Sequence, residues 1–202
     1  MNVKSRKTEQ SEATRAALLA AGEQLFAERG YAGTATEDVV ARASVTRGAL
    51  YHHFKDKQDL FRAVFIVVEE RLTGQLAEVA LAASDPWKTL TSGADAFLDL
   101  CMDPTVQRIV LIDAPSVLGW QQWRELEAQY GLGLLKEALR DAMDSGVLAA
   151  QPVDTLAHLL LAALNEAALF IAQAANRERA RADVGTTIVG LLTALRADRA
   201  AG

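Results

Sequence analysis

The chain has 202 residues, half of them hydrophobic, with 6% aromatics and only four prolines. That is enough to bury a sizeable core, and the dominance of alanine and leucine points to an all-α protein. The net charge of −5 is uneven: residues 1–62 hold ten Lys/Arg against eight Asp/Glu, the remainder 11 against 18.

A slightly basic front on an acidic body suits an anionic partner for the front alone. No apolar run approaches the length needed to span a bilayer, and the polar start MNVKSRKTEQ lacks a signal-type core. The single cysteine, Cys101, cannot form an internal disulfide. A cytoplasmic protein with no membrane association is expected.

In chain order, Leu18, Gly22, Leu25 and Phe26 recur at helical spacing and Gly30 is a stop signal, giving a first helix over about 11–29. Thr34-Ala35-Thr36-Glu37 has the form of a capping box and opens a short helix, about 35–43. Ser44-Val45 fits a tight turn, after which Thr46 caps a third helix, about 47–53. Asp56 caps a long fourth helix, about 57–82.

Asp85-Pro86 starts a helix over 86–102, and Pro104 another over 104–113. Beyond Ala114-Pro115 and Gly119, the pattern predicts helices at 119–144, 153–176 and about 178–198. That makes about nine helices, three short ones in front and six behind.

Residues 45–54, VTRGALYHHF, carry the first functional signal. On a helical wheel Leu50 and Phe54 face the first helix, while Gly48, Tyr51, His52 and Lys55 face solvent. Arg47 sits in the first turn. Hydroxyl, imidazole, guanidinium and ammonium donors on one face suit phosphate oxygens and base edges. The spacing of two short helices across a tight turn lets the second enter a major groove. His52 and His53 are neighbours on a helix, so their side chains point about 100° apart and do not converge on one metal. No metal, cofactor or catalytic group is expected.

The stretch AAGEQLFAERGYAGTATEDVVARASVTRGALYHHFKDKQDLF, residues 20–61, resembles the DNA-binding domain of the TetR/AcrR family of bacterial transcriptional repressors. Its carriers are Leu-Phe…Gly-Tyr, the Thr-rich start of the second helix, and Gly-x-Leu-Tyr-x-His-Phe followed by Lys-x-x-Leu. The resemblance implies a helix-turn-helix domain at 1–56, a six-helix ligand-binding and dimerisation domain at 57–202, and a homodimer. It also implies roles. Arg47 and Gly48 approach bases, Tyr51 and His53 the DNA backbone, and Thr36 and Lys57 phosphates. Residues 34–53 would read a palindromic double-stranded operator. Two departures stand out. Ser44 occupies a turn position usually held by glycine, where positive φ strains a side chain, and Val40 replaces a common alanine and must find room in the three-helix core.

The body is less specific. Helix 153–176 is apolar nearly all round, and the resemblance pairs it with 178–198 in a four-helix dimer interface. Phe65, Phe97, Cys101, Trp120, Trp123, Asn165 and Phe170 are the candidates for binding a small hydrophobic effector. Asn165 has two other readings, a polar contact across the dimer or a satisfied core group, and His158 lies near its stripe. Asp113, in IVLIDAP, orients a ligand amine or caps a helix. An enzyme is disfavoured, because there is no E-x-x-H, no G-x-S-x-G and no Gly-rich phosphate loop. The alternative is a DNA-binding regulator with no small-molecule effector, controlled by a protein partner or by abundance.

Overall fold

The computed structural model describes residues 3–197, with side chains from residue 8. The expected helix end at 198 falls outside the described residues. The elements are α1 (Val3–Arg29), α2 (Thr36–Arg42), α3 (Arg47–His53), α4 (Lys57–Ala82), α5 (Pro86–Leu100), α6 (Pro104–Val106), a π-helical segment (Gln107–Asp113), α7 (Ala114–Leu118), α8 (Trp120–Asp144), α9 (Val153–Gln173) and α10 (Arg177–Ala194). The fold is all-α. Residues 104–118 form one continuous helical rod, so nine rods stand among the described residues. No strand is present among them, only an isolated bridge between Leu148 and Arg196.

The break expected at Ala114-Pro115 does not occur. Pro115 lacks the N–H that would continue the ladder. Just before it, the Ala114 N–H reaches back five residues to the Ile109 carbonyl, and this wide winding carries the helix through.

Packing divides the chain into two compact units. Among the described residues the first comprises 3–68 and 104–123, the second 69–103 and 124–197. Helices α4 and α8 each contribute to both.

In the first unit, α1 ends at Gly30, whose φ of 71° is the left-handed stop that the sequence signalled. Gly22 lets α4 come close, since a Cβ there would lie 3.1 Å from Val64. Phe26, Phe61, Val64, Leu18, Leu25, Val39 and Leu50 are fully buried or nearly so. Each large side chain contributes about 1.5–3 kcal/mol by leaving water. Phe61 meets both Phe26 and Tyr31 edge-on, with centroids 5.1 and 5.3 Å apart. Arg42–Glu28 and Arg29–Asp38 ion pairs tie α2 to α1.

Three local expectations are corrected. The capping box does not form. Ala35 is the N-cap of α2 and supplies no side-chain bond, while the buried Thr34 hydroxyl turns to the Leu25 and Gly30 carbonyls at 3.1 and 2.8 Å. Thr34 thus serves the carbonyls left open at the end of α1. The Glu37 carboxylate accepts from Thr36 instead. Val40 needs no room in the core, because it is half-buried and Val39 fills that place. Helix α1 also begins well before residue 11. Its polar first turns are good helix formers that show no apolar period.

The second unit is built on Leu90, Leu132, Leu139, Ala142, Leu148, Leu156 and Ala157. Helix α10 packs on α9 and α5. Arg181 of α10 holds Asp95 and Asp99 of α5, donating from Nε to Asp99 at 2.7 Å.

Helix α9 corrects the membrane expectation. Its 21 residues are long and apolar enough to cross a bilayer, with hydropathy 1.7. Here Leu156, Ala157, Leu164, Ala168 and Ile171 are buried in the core of the unit, so one side of this apolar run packs inside the protein. It is not covered all round, since Leu159 is 64% and Phe170 60% exposed.

Candidate nucleic-acid interface and effector site

The helix α3 stands on two anchors, Leu50 at 0% and Phe54 at 3% exposure. Its start is set by Thr46, whose hydroxyl oxygen accepts from the Ala49 N–H at 3.2 Å. Its approach is set by Ser44, which takes the left-handed conformation (φ 55°) where only glycine is free of strain. The opposite face presents Arg47, Gly48, Tyr51, His52 and Lys55, all exposed. His53 is half-buried, and desolvation first, then His52 and Arg15, hold its pKa below the usual histidine range.

Two of the cations expected to meet DNA, Arg47 and Lys57, are engaged at rest. Arg47 lies 3.3 Å from Glu37 and 5.6 Å from the Tyr51 ring centroid. That pair is largely in solvent, where holding it together gains little, so Arg47 can leave it for DNA. The Lys57 ammonium donates to the Tyr31 and Thr34 carbonyls at 2.9 and 3.0 Å and rides 4.1 Å over the Tyr31 ring. Two of its three donors are spent on the fold and one remains.

Asp113 is 9% exposed, and although it stands at the N-cap of α7 its side chain makes no capping bond there. It accepts from the Tyr31 N–H at 2.7 Å and from Arg108 at 3.3 Å. Beside it Gln58 donates to the Val117 carbonyl at 2.6 Å. The rod 104–118 therefore grips the chain on both sides of the helix-turn-helix within the first unit.

The effector candidates fall into both units. In the first, Phe65 is fully buried, Trp120 is 66% exposed, and Trp123 is buried with an indole N–H that lacks a partner. The two indoles lie 5.0 Å apart. In the second, Phe97 and Cys101 are buried and Phe170 is on the surface. Burial, with Glu69 second, pushes the Cys101 thiol far up. Asn165 is a satisfied core group, donating to Glu127 Oε1 at 2.6 Å. His158 is exposed and bonds the Asp154 carbonyl of its own helix. Sequence reasoning missed Glu69 and Glu127, each 5% exposed. The signal was there, because Phe61-Phe65-Glu69 and Trp123-Glu127 run at helical spacing along apolar faces. Among the described residues no three His, Cys, Asp or Glu side chains converge on a metal.

Residues 18–64 match the pattern described as bacterial regulatory proteins, tetR family, and residues 87–195 that of the tetracyclin repressor-like C-terminal domain. The chain belongs to the TetR family of transcriptional regulators. A TetR-family regulator from Pectobacterium atrosepticum, known as a crystal structure, is 34% identical and superposes with a TM-score of 0.83, covering 93% of this chain and 96% of that one. The transcriptional repressor BepR of Brucella suis is 32% identical over 74% of this chain and 76% of its own. The regulator FadR of Bacillus subtilis, solved with stearoyl-CoA, shares the fold (TM-score 0.72) at 16% identity, over 88% of this chain and 96% of that one. TetR-family regulators bind DNA and are not enzymes, and the exposed face of α3 lies inside the matched N-terminal segment.

Proposed function

We propose that this chain is a cytoplasmic homodimeric repressor that binds a palindromic operator through residues 34–53 and leaves it when a small effector binds. In this reading residues 1–56 serve DNA and residues 57–202 serve ligand and dimer. The observation that carries it is the outward face of α3, with Arg47, Gly48, Tyr51, His52 and Lys55 exposed above buried Leu50 and Phe54. Arg47 and Gly48 read base edges. Tyr51, a histidine of the 52–53 pair, Lys55, Thr36 and Thr46 take phosphates, with Lys57 adding its remaining donor.

The exposed Leu159 and Phe170 of α9, with Val189 and Leu191 of α10 at 41% and 50%, support a second copy as the cover for that face. Phe170 belongs to this face in the proposal. Within the second unit the buried Phe97 and Cys101 remain candidates for the effector, with Asn165 acting through Glu127; within the first, Phe65, Trp120 and Trp123 are a separate set of candidates. Ligand-bound relatives such as the stearoyl-CoA complex support an effector as such.

The test is selection of bound sequences from random DNA, followed by footprinting. An inverted repeat bound by one dimer is expected. Arg47→Ala should lose about 1–3 kcal/mol of discrimination at one base pair per half-site while nonspecific binding holds. An asymmetric site, or equal loss of specific and nonspecific binding, would overturn the reading.

A further inference from the structure

We propose that the effector carries a cationic nitrogen on an apolar body, and that the carboxylates of Glu69 and Glu127 bind that nitrogen. This rests on the ligand-responsive reading above and gives its ligand a chemical class.

The second unit buries both glutamates to 5% exposure. Glu127 uses only one oxygen, Oε1, on Asn165. Its Oε2 is buried without a hydrogen-bond partner and meets only the Arg124 guanidinium, in a long ion pair at 3.7 Å. One turn past Glu69 on the same face of α4, the Thr73 hydroxyl is also buried and unpartnered. One turn past Glu127 on α8, a Cβ built on Gly131 meets no atom within 4 Å, so space lies open there. Phe97 and Cys101 add buried apolar surface to the same unit.

A buried acceptor without a donor costs about 1–3 kcal/mol, and a buried charge more, so such groups persist where something else completes them. At rest, protonation limits that penalty. Burial first and the Glu127 carboxylate second push Glu69 up to about 8. Burial pushes Glu127 up to about 7, against the opposing pull of Asn165 and Arg124.

An organic cation inverts this balance, because opposite charge at short range favours the ionised carboxylates. A ligand anion would meet two acids instead. A metal ion is a poor fit, since no group of three ligating side chains is found among the described residues. An apolar body suits the remaining walls.

Three probes of one shape test this with the full chain: 4-phenylbutylamine, 4-phenylbutanol and 4-phenylbutyrate, titrated calorimetrically. The amine should bind at least about tenfold more tightly than the alcohol or the acid. Its affinity should rise from about pH 6 to about pH 8.5, with protons released on binding. Glu69→Gln and Glu127→Gln keep the shape of the neutral side chains. Each should abolish most of the preference for the amine while leaving alcohol binding intact and the fold no less stable. Equal affinity for amine and alcohol, no amine binding, or a preference that survives the double replacement would overturn the inference. Release of operator DNA by the alcohol or the acid but not the amine would sink it while sparing the ligand-responsive reading. Tight amine binding that never disturbs the operator complex would leave the site standing and refute that reading.

Discussion

The backbone N–H of Tyr31 donates to the buried carboxylate of Asp113 across 2.7 Å, a bond between residues 82 apart in sequence. It ties the turn after α1 to the end of the π-helical segment. Asp113→Ala would leave that N–H without an acceptor in a half-buried place. Loss of about 1–3 kcal/mol of stability is expected, read as a lower denaturant midpoint. Asp113→Asn, which keeps an acceptor oxygen, should recover most of it. Equal melts for both variants would show that the bond contributes nothing.

Lys57 has two tasks that one experiment can separate. Lys57→Ala removes donors from the Tyr31 and Thr34 carbonyls and should lower stability by on the order of 1 kcal/mol. If its third donor meets a phosphate, operator and random DNA should weaken alike, and the salt slope should fall by about one unit. An unchanged slope with a lowered melt would confine Lys57 to the fold.

Raised carboxyl pKa values fix the sign of a pH effect. The native state holds protons on Glu69 (about 8) and Glu127 (about 7) that the unfolded chain, with ordinary carboxyls, has released. Their favourable contribution is full below the unfolded value of about 4.3 and is lost as pH rises through about 7 to 8. Thermal melts should therefore fall between about pH 5 and pH 8.5. The double Glu→Gln variant should flatten that fall and melt higher at the alkaline end. A wild-type melt that climbs across this range would contradict the buried, protonated pair.

The uncovered apolar face of α9 and α10 predicts an assembly. Phe170→Glu with Leu159→Glu should halve the mass seen by light scattering, and operator affinity should collapse because one head grips half a palindrome. Helical content should stay unchanged. A double variant that remains dimeric would place the interface elsewhere.

Much of this was written plainly in the sequence. Leu50 and Phe54 gave the buried side of α3, Gly30 the end of α1, and Thr46, Asp56 and Asp85 the starts of three helices. All of these are local chemistry. Where a residue's partner lay far along the chain, local reading failed. Thr34 resembled a cap for α2 and became one for the end of α1. Asp113 looked like a lone acid and proved to be held by Tyr31. The pairing of Glu127 with Asn165 spans 38 residues, so neither residue alone announced the other. Apolar periodicity also set α1 too short, because the polar turns at its start carry no such period.

Cys101 turns burial into a clock. It is the single thiol of the chain, 2% exposed, and its proton is held tightly by its surroundings. A thiol-specific reagent reacts with thiolate in water, so it must wait for this part of the second unit to open. The labelling rate of the unmodified protein therefore reports the frequency of that opening, with no engineered probe. A compound that settles beside Cys101 should slow the clock before any change in DNA binding is measured.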